Sequence, residues 1–266
     1  LYLLVMLGTA ALGWLAGLAL GRARGARAER PLCWLFSALC LAPLLFFKYT
    51  DFFLSNWNAL TGRAAPLLGL ALPLGISFYT FQVLSYVLDV RRGTVAVQKN
   101  LLDFLTYVTL FPQLVAGPIV RYETVERELR SRRTTLADFS SGVTRLCVGL
   151  GKKVLLANSL ALLVSREGAG TSALGCWLVS FGYTLQLYFD FSGYSDMAIG
   201  LGRMFGFHFP ENFAHPFCSK SITEFWRRWH ISLGTWFRDY VYIPLGGSRC
   251  SRARRLLNIL AVWMLT

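Results

Sequence analysis

The densest group of chemically useful side chains lies in residues 221–247, SITEFWRRWHISLGTWFRDYVYIPLGG. Ser221 and Glu224 have the spacing of a capping box, which predicts a helix start, and Pro244 predicts its end. We therefore predict one amphipathic helix over residues 221–243, suited to lying along a membrane interface or a cavity wall. Its apolar arc consists of Ile222, Phe225, Trp226, Trp229, Leu233, Trp236, Phe237 and Tyr240, and Arg227 and Arg238 lie opposite.

His230 lies at the edge of this apolar arc, next to Trp226 and Phe237 on a helical wheel. Desolvation at such a position lowers the pKa of an imidazole and leaves a basic nitrogen free to accept a proton from a hydroxyl group. We therefore consider His230 a candidate general base. The alternative from spacing alone is a histidine that closes the apolar face and hydrogen-bonds a neighbour.

Other reactive residues do not form a recognisable site. His208 and His215 lie beside prolines in extended sequence, without metal-ligand spacing, so no metal site is predicted. The six cysteines are scattered without a C-x-x-C pair, which argues against a metal site and a disulfide framework. GYSDM at 193–197 lacks the final glycine of a nucleophile elbow, and GLGKKV at 149–154 lacks the Ser or Thr of a P-loop.

The composition identifies the environment of these residues. Of the 266 residues, 55% are apolar or aromatic and only 15% are charged, which leaves too little polar surface to cover a soluble protein. The net charge of +13 reflects basic cytoplasmic loops more simply than a nucleic-acid partner, and no nucleic acid is predicted. We predict an all-α polytopic membrane protein, a bundle of transmembrane helices with re-entrant and interfacial amphipathic segments.

The elements that must position the site are apolar helices. Pro112 and the Gly117-Pro118 pair interrupt residues 101–120, whose two flanks are both basic, so we predict a re-entrant segment there. The basic region 208–255 is predicted to be cytoplasmic. Asp190 lies at membrane depth, where a carboxylate marks a functional site or a buried partner. We predict spans at 1–21, 31–47, 64–88, 146–165 and 173–191, the last followed by a break at FSGYSD and a half-helix over 194–207.

Five sequence blocks in order resemble the membrane-bound O-acyltransferase family, and within it the bacterial alginate O-acetyltransferase branch. They are LPLGISFYTFQVLSYVLD (72–89), FPQLVAGPIVRY (111–122), YFDFSGYSDMAIGLGRMFGF (188–207), FPENFAHPF (209–217) and FWRRWHISLGTWFRDYVYIPLGG (225–247). The resemblance implies that His230 is one of two catalytic histidines, the second lying beyond residue 266. It also implies one membrane-embedded domain over residues 1–266, incomplete at both ends and inactive by itself.

The activity implied by the resemblance is transfer of an acetyl group from a cytoplasmic donor to hydroxyls of an exported polysaccharide such as alginate. The donor would be acetyl-CoA, used as a substrate, with no bound cofactor. The partners would be the lipid bilayer, the donor, and the polysaccharide reached through periplasmic acetylation proteins. The location would be the bacterial cytoplasmic (inner) membrane, crossed several times. Candidate residues for binding donor or substrate are Trp226, Arg227, Arg228, Trp229, Arg238, Gln113 and Asp190.

Three other functions remain open at this point. Within the same family, the alternative is D-alanyl transfer to teichoic acid, with a carrier protein as donor. A polytopic transporter would also show broken helices and carboxylates at membrane depth, although the sequence has no internal repeat. A non-catalytic membrane scaffold for polysaccharide export is the third.

Overall fold

The computed structural model describes residues 2–114, 117–167 and 172–266, which form helices and connecting loops without a β-strand in these ranges. Among the described residues, three helical stretches are long and apolar enough to cross a membrane: Tyr2–Arg22, Glu29–Thr61 and Leu136–Ser165. This confirms the prediction of an all-α polytopic membrane protein. The chain divides into two compact units, described separately below, and the prediction of a single domain stays a prediction.

The first unit comprises residues 1–115 and 121–129. Helix α1 packs against α2, α3 and α4, and its close approach to α3 depends on small residues. A Cβ added at Gly17 would lie 2.5 Å from the hydroxyl oxygen of Tyr86 on α3. The helices are α1 (Tyr2–Arg22), α2 (Glu29–Thr61), α3 (Ile76–Arg92), α4 (Leu101–Thr109), α5 (Phe111–Leu114) and α6 (Tyr122–Ser131).

The third predicted span is wrong in its first half. Residues 62–73 are not helical, and α3 begins only at Ile76, after Gly75 in the left-handed region. Polar side chains of α2 satisfy the backbone of this loop: Asp51 accepts from two of its N–H groups, and the Asn58 amide pairs with Ala65. A loop with satisfied backbone groups does not need to become a helix. The predicted re-entrant segment is interrupted between α4 and α5, and its re-entry stays a prediction.

The second unit comprises residues 116–120 and 130–266. Its framework is α7 (Leu136–Gly151), a π-helical stretch (Lys152–Ala157) and α8 (Asn158–Glu167), all packed against the long helix α9. A loop with a short 3₁₀ turn at Pro216–Cys218 then leads to α10. The remaining elements are α9 (Ala173–Met204), α10 (Ile222–Arg228), α11 (Ile231–Phe237), a second π-helical stretch (Arg238–Tyr242) and α12 (Arg252–Leu265).

The break predicted at FSGYSD is wrong, because α9 continues through it without interruption. Glycines serve there as contact points between helices and not as helix breakers. A Cβ at Gly149 of α7 would lie 2.5 Å from the carbonyl oxygen of Gly193 on α9, and one at Gly193 would lie 2.8 Å from the carbonyl oxygen of Gly149. Gly142 and Gly200 form the same reciprocal contact two turns away. The absent side chains allow the two backbones to touch.

Replacing Gly149 by alanine is expected to destabilise the second unit by about 1–3 kcal/mol, the usual cost of overpacking. The Cβ would meet backbone atoms of Gly193 and Met197, which cannot rotate away. Gly151 lies two residues further on and is the matched control, since a Cβ there has nothing within 4 Å. Thermal unfolding of the two purified variants measures the difference, and equal stability of Gly149→Ala and Gly151→Ala would contradict the packing argument.

The single helix predicted over residues 221–243 is divided in the structure into α10 and α11. Its start is confirmed, because the Ser221 hydroxyl accepts from the Glu224 N–H at 3.1 Å. Trp229 is extended, and His230 is left-handed with a φ of 44°. The first N–H groups of α11 are bound from outside the helix: Ile231 donates to the carbonyl oxygen of Asn212, and Ser232 donates to its side-chain oxygen. Because the helix is interrupted at Trp229 and His230, the position predicted for His230 on a continuous helical wheel is wrong.

Candidate functional site

The candidate site is built where the loop after α9 meets the junction of α10 and α11. The loop delivers Asn212, whose side chain is fully buried. Its Oδ1 lies 3.1 Å from Nδ1 of His230 and accepts hydrogen bonds from the hydroxyl of Ser232 at 2.9 Å and from its N–H at 3.3 Å. One amide oxygen thus fixes the imidazole and the first turn of α11 together.

The hydrogen bonds around Asn212 determine which nitrogen of His230 carries the proton. The backbone N–H of Ser232 can only donate, so the atom that it meets is the amide oxygen and not the amide nitrogen. Nδ1 of His230 faces the same oxygen and must therefore donate its hydrogen to it. In the neutral imidazole this leaves Nε2 as the unprotonated, basic nitrogen. Among the described residues, Nε2 has no hydrogen-bond partner.

Burial keeps this imidazole neutral. Phe191 of α9 meets the ring edge to face, with the ring centres 4.7 Å apart. Removal from water disfavours the charged form and lowers the pKa of His230 from its usual 6.5 to about 4. A neutral histidine with a free Nε2 can act as a general base. The hydrogen bond to Asn212 is equally expected from the alternative interpretation of the sequence, in which His230 only hydrogen-bonds a neighbour. The catalytic role of His230 therefore stays a prediction.

Two further contacts connect this group to the rest of the second unit. The Asn212 amide nitrogen donates to the hydroxyl oxygen of Ser195 on α9 at 3.0 Å. The hydroxyl oxygen of Ser232 accepts from the backbone N–H of Ile119 at 3.0 Å. Asn212, Ser195 and Ser232 are all buried, so each hydrogen bond is made away from water.

A network of charged side chains lies on the other side of Asn212. Arg145 of α7 pairs with Asp196 of α9 at 2.8 Å and also with Glu211, which precedes Asn212 in the loop. Lys152 binds the second oxygen of Asp196 at 2.6 Å. The network borders a cavity of about 250 Å³. The cavity is lined by Arg145, Lys152, Tyr188, Ser192, Ser195, Asp196, Ile199, Glu211, Asn212, Phe213 and His215.

The two tryptophans predicted as binding residues have different environments. Trp229 belongs to an aromatic cluster: it stacks on Phe225 with ring centres 5.6 Å apart and meets Phe213 edge to face at 5.1 Å. Trp226 is exposed and meets Trp263 of α12 edge to face, with ring centres 5.2 Å apart. Trp229 therefore packs beside the loop that carries Asn212, and the binding role of either residue stays a prediction.

The three arginines predicted on the donor side lie at the surface. Arg228 is bound to Glu224 at 2.6 Å, and Arg238 to the adjacent Asp239 at 2.7 Å. Arg227 is exposed. These pairs are partly solvated, and each arginine retains N–H donors for a further anion. Donor binding by them stays a prediction.

The remaining predicted site residues lie apart from one another. Asp190 of α9 pairs with Lys153 of the π-helical stretch. Gln113 belongs to the first unit, where it is fully buried and its Nε2 donates to the Tyr107 carbonyl at 2.7 Å. Gln113 therefore has a local structural contact, and its predicted binding role stays a prediction. Within the described ranges, no three His, Cys, Asp or Glu side chains come close enough to hold a metal ion.

Sequence reasoning missed the residues that hold His230, namely Asn212, Ser195, Ser232 and Phe191. Asn212 lies in the block FPENFAHPF, but an isolated asparagine in a loop has no periodicity or motif that predicts a buried role. The signal that the sequence offered for a role of Asn212 was the residue type, because asparagine carries both a hydrogen-bond donor and an acceptor on one short side chain. Only the fold shows that both are used.

Comparison with known proteins gives consistent matches. Residues 95–265 match the family model described as the membrane-bound O-acyltransferase family. A probable alginate O-acetylase of Pseudomonas syringae is 43% identical over 272 residues, which cover 99% of this chain and 52% of the relative. A peptidoglycan O-acetyltransferase of Helicobacter pylori is 35% identical over 83% of this chain and 47% of its own length. A teichoic acid D-alanyltransferase of Bacillus subtilis is 35% identical over 64% of this chain and 45% of its own length. The chain spans about half the length of the curated relatives that it matches.

Proposed function

The chain belongs to the membrane-bound O-acyltransferase family, and from this premise we propose that it serves O-acetylation of an exported polysaccharide such as alginate. The donor is a cytoplasmic thioester, acetyl-CoA, and the final acceptor is a hydroxyl group of the polymer, which the acetyl group reaches through periplasmic acetylation proteins. The protein resides in the bacterial inner membrane. The support for this proposal is the family together with the similarity to probable alginate O-acetylases, which are 43–50% identical to the chain.

The observation that carries the chemistry is the contact of His230 Nδ1 with the Asn212 oxygen at 3.1 Å, from which the tautomer of the imidazole is inferred. Asn212 accepts the Nδ1 hydrogen, and burial keeps the ring neutral, so Nε2 is available as a base. In the proposed reaction, Nε2 takes the proton of the hydroxyl group that first accepts the acetyl group, as the oxygen of that hydroxyl attacks the thioester carbonyl carbon. The carbon–sulfur bond then breaks, and the imidazolium returns the proton to the departing thiolate. The Asn212 oxygen stabilises the imidazolium by accepting from Nδ1 throughout.

Donor binding is proposed for the basic surface that holds Arg227, Arg228 and Arg238. Region 208–255 is rich in basic residues and is therefore expected on the cytoplasmic side, where a soluble thioester is available. Guanidinium groups match phosphate oxygens in geometry and charge, and the diphosphate of a coenzyme would meet them there. Arg228 and Arg238 already have one carboxylate partner each, so a phosphate would add to these pairs or replace them.

The test of the proposed function is restoration of polymer acetylation. The full-length gene product would be expressed in an alginate-producing bacterium that lacks its own alginate O-acetylase, and the acetyl content of the exported polymer measured by NMR. Restored acetylation is expected, together with transfer of label from acetyl-CoA supplied to the cytoplasmic face of inverted membrane vesicles. An unacetylated polymer in cells that contain the inserted protein would contradict the proposal, and D-alanyl esters on teichoic acid in a parallel host would favour the D-alanyl alternative.

A further inference from the structure

We propose that Arg145 is a positioning residue that holds the loop carrying Asn212, and through Asn212 the His230 imidazole, in the reactive arrangement. This inference rests on the proposed function of His230. It assigns a role to a residue of α7 whose side-chain hydrogen bonds, within the described residues, go to Asp196 and Glu211 and not to the histidine itself.

The first supporting observation is that Arg145 connects two elements. Its Nε and Nη2 donate to one oxygen of Asp196 on α9, at 3.1 Å and 2.8 Å. Its Nη1 and Nη2 also bind both carboxylate oxygens of Glu211. Glu211 immediately precedes Asn212, the residue that orients His230. The guanidinium of Arg145 therefore links α7 and α9 to the loop directly beside Asn212. Lysine cannot make this arrangement, because it lacks the planar fork of donors.

The second observation is the space beside the loop. The cavity of about 250 Å³ is bordered by Glu211, Asn212 and Phe213 of the loop and by Arg145 and Asp196 of the framework. Side chains packed in close contact would hold a loop by shape alone. Phe213 of the loop also packs among aromatic rings, but Glu211 and Asn212 border the open volume, so directional contacts contribute to the position of these two residues. The Arg145 bridge is one such contact, and the hydrogen bond from Asn212 to Ser195 is another.

The third observation is the anchoring of the network. Arg145 and Lys152 belong to the helical stretch Leu136–Ser165, and their side chains are only 22% and 27% exposed, so their ion pairs with Asp196 are partly shielded from water. Lys152 binds the oxygen of Asp196 that Arg145 does not use. Both oxygens of Asp196 thus have a partner, and the Asp196 carboxylate fixes the orientation of the Arg145 guanidinium. The more exposed end of the bridge is Glu211, whose side chain is 54% exposed.

The effect expected from breaking the bridge is loss of turnover without loss of donor binding. A displacement of catalytic groups by about 1 Å costs up to about 100-fold in rate. Arg145→Ala in the full-length protein is therefore expected to lower kcat about 10- to 100-fold while the KM for acetyl-CoA changes less than about threefold. Glu211→Ala is expected to do the same to a smaller extent. It also serves as the second variant should removal of the inner arginine prevent folding.

The matched control is Arg203→Ala. Arg203 lies on α9 and donates to Ser141 of α7 at 2.8 Å, so it links the same two helices without touching the loop. We expect this variant to retain nearly full turnover. Hydrogen exchange of the backbone amides in residues 209–215 supplies a readout that does not require acyl transfer. Exchange is expected to speed up in Arg145→Ala and Glu211→Ala and to stay unchanged in Arg203→Ala.

A double-mutant cycle with Asn212→Ala decides whether Arg145 acts through Asn212. If it does, adding Arg145→Ala to Asn212→Ala lowers kcat by less than about threefold, because the group to be positioned is already absent. An equal loss in both backgrounds, or full turnover of Arg145→Ala, would overturn the inference. If instead the proposed function fails, acyl transfer is absent in the parent protein as well, and the exchange measurement still tests whether the bridge holds the loop.

Discussion

Acetyl transfer by the full-length protein is expected to fall about 10²–10⁴-fold when His230 is replaced by asparagine, the usual contribution of a general base. Asparagine is the appropriate substitute, because His230 has a φ of 44° and asparagine tolerates the left-handed region better than other residues with a Cβ. Its side-chain amide can also donate to the Asn212 oxygen. The variant thus removes the basic Nε2 while the loop and the start of α11 keep their support. Acetyl content of the polymer, normalised to membrane abundance, measures the loss.

The chain supplies its own matched control for this substitution. His215 is the other left-handed residue with a side chain among the described residues, with a φ of 49°. His215→Asn therefore makes the same chemical change on the same backbone conformation, and we expect it to keep most of the activity. Equal acetylation by His230→Asn and the parent protein would return His230 to a structural role.

The pH dependence of kcat provides an independent check on the environment of His230. A general base must be unprotonated, and burial lowers the pKa of this imidazole to about 4. Activity is therefore expected to stay constant as pH falls through 6.5 and to decline only as pH approaches 4. Among the described residues, desolvation is the cause of this shift. The ionic groups on the surrounding elements are engaged elsewhere: Asp190 with Lys153, Glu211 with Arg145, and Arg228 with Glu224. An acid limb centred near 6.5 would show that the ring is solvated in the active protein.

The sequence was sufficient for features that depend on local composition. Long apolar runs predicted α1 and the span at 146–165, because a helix that crosses lipid must be apolar over most of its length. The structure extends the second of these over Leu136–Ser165. Ser221 predicted the start of α10, because a cap involves residues only three positions apart. His230 stood out as a titratable residue on an apolar background.

The sequence was insufficient where a distant group decides the local conformation. Residues 221–243 have the pattern of one helix, and the break at Trp229 and His230 arises from Asn212, which lies 18 positions before His230. The glycines around residue 193 resemble a helix break, yet they allow α9 to touch α7 and continue. In both cases contacts with residues distant in sequence outweigh the preference of the local sequence for one of the two competing conformations. Tertiary contacts therefore select between them, as is usual for propensities summed over short windows.

Replacing Asn212 by alanine is expected to reduce kcat about 100-fold, although the residue touches neither donor nor acceptor in the proposed reaction. Without its oxygen, Nδ1 of His230 has no acceptor and the two neutral tautomers become available, which removes the fixed basic Nε2. Loss of the group that sets the tautomer of a catalytic histidine costs up to about 10⁴-fold where that group is charged. We expect less here, because an amide stabilises the imidazolium less than a carboxylate does.

Asn212→Asp separates this orienting role from a general loss of structure. Aspartate keeps an acceptor for Nδ1 of His230 and for both donors of Ser232, and the Ser195 hydroxyl can rotate to donate to its second oxygen. Its negative charge favours the imidazolium, so the pKa of His230 rises relative to the parent. We therefore expect Asn212→Asp to recover a large part of the turnover lost in Asn212→Ala and to move the acid limb of kcat to higher pH. A variant that recovers no activity, or recovers it with the acid limb of the parent, would show that Asn212 supports only the fold and does not orient the base.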